Sequence, residues 1–209
     1  MNVAILGGTG SFGRALAARL AAGGADDVVI GSREAARAQS AAAEIGGRVR
    51  GATNADAVRG VELAILAVKA EAALDTAREV AAALGATPLL SVASALAFSK
   101  DGVRPDPDAR SLAERVQEAL QGPVVAGLHS VAAANLAAEP PDEDALVCGD
   151  DEHAKALALE LASKLVAGRA VDAGPLASAR ALEGLTAVIV NVNRRYKAHA
   201  GIRVTGVES

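Results

Sequence analysis

The chain has 209 residues and a mass of 20.8 kDa, with 21 Lys and Arg against 25 Asp and Glu and a formal net charge of −4. That balance, with aromatic residues at 1% (Phe12, Phe98 and Tyr196), argues against nucleic-acid binding: there is no basic excess to neutralise phosphates and no set of rings on which bases stack. A single cysteine and scattered histidines rule out an internal disulfide and give no zinc-ligand spacing, and no apolar run approaches the roughly 18 residues of a membrane span. The protein is expected to be metal-free and cytoplasmic, with no basic leader before its first apolar run.

Taken in order, short apolar runs alternate with alanine-rich helical stretches. Asn2 to Leu6 reads as a strand that ends in glycines, and a helix follows from Phe12 to Ala22, closed by Gly23-Gly24. Strands are then expected around Val28 to Ile30, Arg48 to Ala52 and Leu63 to Val68, with helices at Ala35 to Glu44 and Asn54 to Arg59 between them. Ala72 to Leu84 reads as a helix, Thr87 to Val92 as a strand, and Lys100 to Asp108 as a charged, solvent-facing mobile loop. Ser111 to Leu120 is a helix whose Ser111 and Glu114 have capping-box spacing. Strands at Val124 to Gly127, Ala145 to Cys148 and Ala170 to Asp172, a helix over Asp150 to Val166 and a long last helix from Ala177 to Ala198 complete the set. Near-continuous apolar strands separated by helices predict an α/β fold with a doubly wound parallel sheet, followed by a smaller α/β extension ending in a long helix.

Gly8-Thr9-Gly10-Ser11-Phe12-Gly13 is a full G-x-G-x-x-G between a strand and a helix, the context in which the motif predicts a Rossmann dinucleotide site. Gly8 is assigned the tight turn, Gly10 the close approach of backbone to pyrophosphate, and Gly13 the close packing of helix on strand. The second strand ends in Gly31-Ser32-Arg33, with Arg37 one helical turn on, where an NAD enzyme usually has a carboxylate for the ribose 2′-OH. A hydroxyl and two guanidinium groups suit a 2′-phosphate, which selects NADP(H); the plainer reading makes the two arginines solvated helix-face charges. Glu34 is expected to turn outward.

Proton donors are few. His129 either borders the nicotinamide cleft as a positioning residue or is a satisfied structural histidine. Cys148 reads as an inert buried thiol. An enzyme acting on an alcohol or imine needs a positioned acid, whereas a conjugated-ring partner takes hydride when two rings are simply held face to face.

Several further stretches resemble one family. Val3 to Gly10, Gly31-Ser32-Arg33, Gly127-Leu128-His129, Val147-Cys148-Gly149-Asp150-Asp151, Asp172-Ala173-Gly174-Pro175-Leu176, Leu182-Glu183-Gly184-Leu185-Thr186 and Asn193 to Ile202 together look like the F420-dependent NADP oxidoreductases, over almost the whole chain. The resemblance implies reversible hydride transfer between NADP(H) and coenzyme F420, an 8-hydroxy-5-deazaflavin, in a cytoplasmic homodimer. It divides the chain into an NADP-binding domain over 1–125 and a C-terminal part over 126–209 that completes the deazaflavin site and the dimer interface. It places Thr9, Gly10, Ser11 and Phe12 at the pyrophosphate, Ser32, Arg33 and Arg37 at the 2′-phosphate, and Val68, Ala72, Ala133 and Ala200 around the nicotinamide end. Ser94, His129 and Ser130 fall on the deazaflavin side. Lys69-Ala70 and Val92-Ala93-Ser94 depart from archaeal members.

Two other functions remain open on the sequence: an NADPH-dependent reductase of a small imine or keto acid, and a non-catalytic NADP sensor that signals through the Lys100 to Asp108 loop. The last helix carries Leu182, Leu185, Val188, Ile189 and Val192 as an apolar stripe that either a sheet or a twofold mate would cover. Arg194, Arg195 and Lys197 have no role assigned by the sequence.

Overall fold

A computed structural model of the protein describes residues 1–23, 27–137 and 139–207. Strand β1 (Asn2–Leu6) leads through the glycine loop into α1 (Ser11–Ala22), followed by β2 (Asp27–Ser32), α2 (Ala35–Ile45), β3 (Val49–Thr53), α3 (Asn54–Ala57), β4 (Leu63–Leu66), α4 (Ala70–Leu84) and β5 (Leu89–Ser91). Then come β6 (Leu96–Ser99), β7 (Gly102–Pro105), α5 (Leu112–Gln117), β8 (Val124–Gly127), α6 (Ala133–Leu136), β9 (Ala145–Gly149), α7 (Glu152–Ser163) and β10 (Ala170–Asp172). A 3₁₀ turn (Leu176–Ser178) runs into α8 (Ala179–Tyr196). Gly23 caps α1, while Gly24 lies outside the described residues.

Eight strands form one sheet in the order β10-β9-β8-β5-β4-β1-β2-β3. Every junction is parallel except β8 with β9. The chain moves outward from β1 to β3, then returns to the other side of β1 with β4, so strand order reverses between β1 and β4. That reversal opens a crevice at the carboxyl ends of the strands, the place where such sheets bind ligands. The pleat divides the core between the two faces. Val3, Ile5, Leu63 and Ile65 pack with α1, α2 and α7, whereas Ala4, Leu6, Ala64 and Leu66 pack with α4, α5 and α8.

One segment corrects the sequence reading. Lys100 to Asp108 is not a free loop: β6 and β7 form an antiparallel hairpin, and Val103 is buried. The Asn191 side chain on α8 accepts from Val103 N at 2.9 Å and donates to its carbonyl at 2.8 Å, so it pairs with β7 as a neighbouring strand would. The expected capping box is present: Glu114 N donates to the Ser111 hydroxyl at 3.1 Å and Ser111 N to the Glu114 carboxylate at 2.7 Å.

Candidate functional site

The glycine loop differs in one detail from its sequence reading. The residue in the left-handed region is Gly7 (φ +75°), where a Cβ would lie 2.6 Å from Val68 Cγ1, so Gly7 and not Gly8 makes the turn. Gly8 is needed for a different reason: a Cβ there would sit 2.5 Å from Ile30 Cγ2. At Gly13 a Cβ would meet Gly8 Cα at 2.6 Å, so α1 rests directly on the loop. Gly10 is the N-cap of α1 and supplies no side-chain cap, and the first turn carries no acidic residue. By contrast α3, α5 and α7 are capped by Thr53, Ser111 and Asp151. The first-turn amides at Ser11, Phe12 and Gly13 have no acceptor four residues back in a helix, so this exposed terminus keeps unpaired donors and a positive dipole end. Its geometry fits an anionic pyrophosphate.

At the end of β2, Ser32 is 8% exposed and its hydroxyl oxygen accepts from Glu34 N at 3.3 Å, which leaves the hydroxyl hydrogen to donate elsewhere. Arg33 and Arg37 are exposed and make no ion pair among the described residues, and Glu34 is exposed as expected. A group with the charge of a 2′-phosphate would find a donor and two unpaired guanidinium groups there.

The crevice continues across the ends of β4, β5 and β8. Val68 packs against the Gly7 turn, and Val92 N donates to Leu66 O at 3.3 Å, which brings the segment after β5 alongside the end of β4. Ala72 lies on the first turn of α4. Beyond β8, Leu128 takes φ +62° although it is buried and not glycine, a strained conformation held by its neighbours: Leu128 N donates to Leu146 O, and Val131 N to Leu128 O. The Thr186 hydroxyl donates to the His129 carbonyl at 2.8 Å and lies 2.9 Å from the Ser94 hydroxyl. Thr186 has one hydroxyl hydrogen, so Ser94 is the donor in that pair. One α8 side chain thereby ties the Ser94 segment to the end of β8. Glu183, buried on the previous turn of α8, accepts from Leu112 N at 2.6 Å and fixes α5 to the same frame.

His129 itself is 6% exposed, and burial lowers its imidazole to about 4 despite a favourable contact with the Ala93 backbone. Among the described residues neither ring nitrogen has a hydrogen bond of good geometry. The ring is thus neutral at physiological pH. Ser130 is buried, its hydroxyl 3.4 Å from the Asp144 carbonyl. Ala133 opens α6, which α1 holds through the Arg19 guanidinium on Leu136 O at 3.2 Å. Ala200 approaches the same flank: its N donates to Asn193 Oδ1 at 2.7 Å, and Asn135 donates to His199 O at 3.3 Å. Arg194, Arg195 and Lys197 are exposed, with no ion pair among the described residues. The Cys148 thiol is buried and pushed up to about 11, first by desolvation, which keeps it protonated.

The functional elements absent from the sequence reading are the Gly7 turn, the Thr186 link and the strained Leu128. Gly7 stood next to a fully matching motif, whereas the other two depend on segments distant in sequence.

A sequence profile described as NADP oxidoreductase, coenzyme F420-dependent, matches residues 2–95. The F420-dependent NADP reductase of Methanocaldococcus jannaschii is 35% identical over 225 aligned positions that cover 100% of both chains. That of Methanothermobacter marburgensis is 38% identical over 223 positions, 99% of each. A solved structure from Arthrobacter sp. FB24, provisionally described as an F420-dependent NADP reductase, superposes with a TM-score of 0.84 at 27% identity, covering 98% of this chain and 99% of that one. An imine reductase of Streptomyces aurantiacus shares the fold alone, with a TM-score of 0.63 at 23% identity over 94% of this chain and 62% of its own. Full-length identity at this level shows that the chain belongs to the F420-dependent NADP oxidoreductase family.

Proposed function

We propose that the chain catalyses reversible hydride transfer between NADP(H) and coenzyme F420. The observation that carries the reading is the crevice: a bare, positive helix terminus built for a dinucleotide opens towards a wall whose buried histidine is neutral. When both coenzymes are bound, the chemistry they supply is hydride exchange between C4 of the nicotinamide and C5 of the deazaflavin. The protein's contribution is orientation. Thr9, Gly10, Ser11, Phe12 and Gly13 hold the pyrophosphate on the α1 amides, while Ser32, Arg33 and Arg37 select the 2′-phosphate. Val68, Ala72, Ala133 and Ala200 wall the nicotinamide end, and Ser94, His129 and Ser130 shape the deazaflavin side. His129 acts as a positioning residue, since an imidazole lowered to about 4 carries no proton to give near neutrality. That same property weighs against the imine reductase reading, and the anchored hairpin removes the loop through which a sensor would signal.

The C-terminal part, 126–209, completes the deazaflavin side. A homodimer fits the apolar surface left on α8 and the hairpin, where Val188 is 57% and Phe98 66% exposed. The cytoplasm is the compartment this reading assigns; among the described residues no helix is long and apolar enough to cross a membrane.

The test is optical. Mixing the protein with NADPH and oxidised F420 should bleach the deazaflavin absorbance, NADH should serve poorly, and Arg33→Ala should raise KM for NADPH by about tenfold or more while leaving NADH unchanged. No bleaching by protein that binds NADPH would overturn the reading.

A further inference from the structure

A concavity of about 340 Å³ lies between α4 and α5, outside the crevice. Leu74 and Ala119 contribute its apolar lining, and Arg78, Arg110, Arg115 and Glu118 its charges. Three guanidinium groups and one carboxylate line it, and Asp75 and Asp108 stand beside Arg78 and Arg115.

The arginines are held by weak partners. Arg78 pairs with Asp75 at 3.1 Å, both exposed, and Arg110 with the exposed Glu118. Arg115 stands 3.6 Å from Asp108, beyond hydrogen-bond distance, and its Nε is buried with no hydrogen-bond partner among the described residues. Asp108 already accepts from Arg110 N at 2.9 Å and lies in the field of Arg115, Arg110 and Arg180. Exposed pairs of this kind contribute about 0–1 kcal/mol each, so a better anion can replace them, and Arg presents a rigid fork to phosphate or carboxylate oxygens.

The segment that leads into Arg110 passes the crevice. Asp106 N donates to Ala95 O at 2.9 Å, one residue beyond Ser94. Along α4, Arg78 lies eight residues from Ala70 at the crevice rim, about 12 Å at the helical rise. A chain that reaches the rim at Ala70 need extend only about that far to meet Arg78.

We propose that Arg78, Arg110 and Arg115 form a subsite for the anionic tail of the deazaflavin coenzyme, the phosphodiester and carboxylates borne on its side chain. The inference rests on the deazaflavin reading above. It makes the cluster a specificity determinant, contributing affinity for the coenzyme without touching the reacting rings.

The experiment compares tail-bearing F420 with tail-less 8-hydroxy-5-deazariboflavin as substrates of the wild type and of Arg78→Gln, Arg110→Gln and the double variant; both positions are exposed, so the fold should tolerate the changes. The expected result is a rise of about tenfold in KM for F420 in the double variant, with kcat, KM for NADPH and all constants for the tail-less compound unchanged. Added salt should weaken F420 selectively in the wild type. Equal effects on both deazaflavins, a change in KM for NADPH, or no effect on F420 would each overturn the subsite. If NADPH binds and neither deazaflavin turns over, the hydride-transfer reading fails; direct fluorescence titration with F420 then judges the subsite separately, and equal affinity of wild type and double variant overturns it.

Discussion

The buried His129 makes the fold's stability depend on pH in a defined window. In the unfolded chain the imidazole titrates near 6.5, whereas burial lowers it to about 4 in the fold. Between those values the unfolded chain holds a proton that the folded chain does not, so stability is fully present above about pH 6.5 and is lost as pH falls towards 4. The interval of 2.5, at 1.36 kcal/mol per pH unit, amounts to roughly 3 kcal/mol, a large share of a typical domain's stability. Other groups act differently. Glu143 and Glu183, each raised mainly by burial, gain stability on acidification towards 4.5, and Asp144, lowered by Arg169, loses it only below 3.8. The difference between wild type and His129→Gln isolates the imidazole, because the variant keeps these carboxyl groups. Urea unfolding at pH 7, 6, 5 and 4 should show the wild type losing about 3 kcal/mol more than the variant. A histidine ring resonance should titrate near pH 4 in the folded protein. Parallel stability curves, or no ring proton titrating below pH 5, would refute the reasoning.

Two further predictions follow from the site's frame. Gly13→Ala puts a Cβ against Gly8 Cα at 2.6 Å and should cost about 1–3 kcal/mol and abolish NADPH binding; Gly10→Ala, whose Cβ would stand 3.4 Å from Gly7 O, should fold to within about 1 kcal/mol yet bind NADPH weakly, as thermal melts and fluorescence titration would show. Unimpaired binding by both variants would contradict the cradle. Asp144→Asn removes a buried carboxylate that accepts from Arg169 Nη2 at 2.7 Å and Val204 N at 2.8 Å, and should cost roughly 3 kcal/mol and open the 202–207 segment to proteolysis. A digestion pattern like the wild type's would argue that the clamp does not hold that segment.

Much of the fold could be read locally. The Val3 to Leu6 strand, the helix after the glycines and the Ser32-Arg33 end of β2 each depend on neighbours within a few residues, and strand β8 and the Ser111 cap fell at their expected positions. The hairpin did not, because its anchor lies elsewhere: Asn191 meets Val103 across 88 residues.

The same division explains what each level of description determined about this protein. Sequence alone established a doubly wound sheet, a glycine-rich helix start and a hydroxyl with two arginines in place of a carboxylate, since backbone conformation, helix dipole and side-chain charge act at short range. Tertiary structure decided that Gly7 turns the loop, that Thr186 ties Ser94 to the His129 carbonyl, that His129 is neutral, and that arginines from α4 and α5 surround one concavity. Burial and convergence depend on which distant segments pack together, and that is fixed only when α8 and α5 close on the sheet.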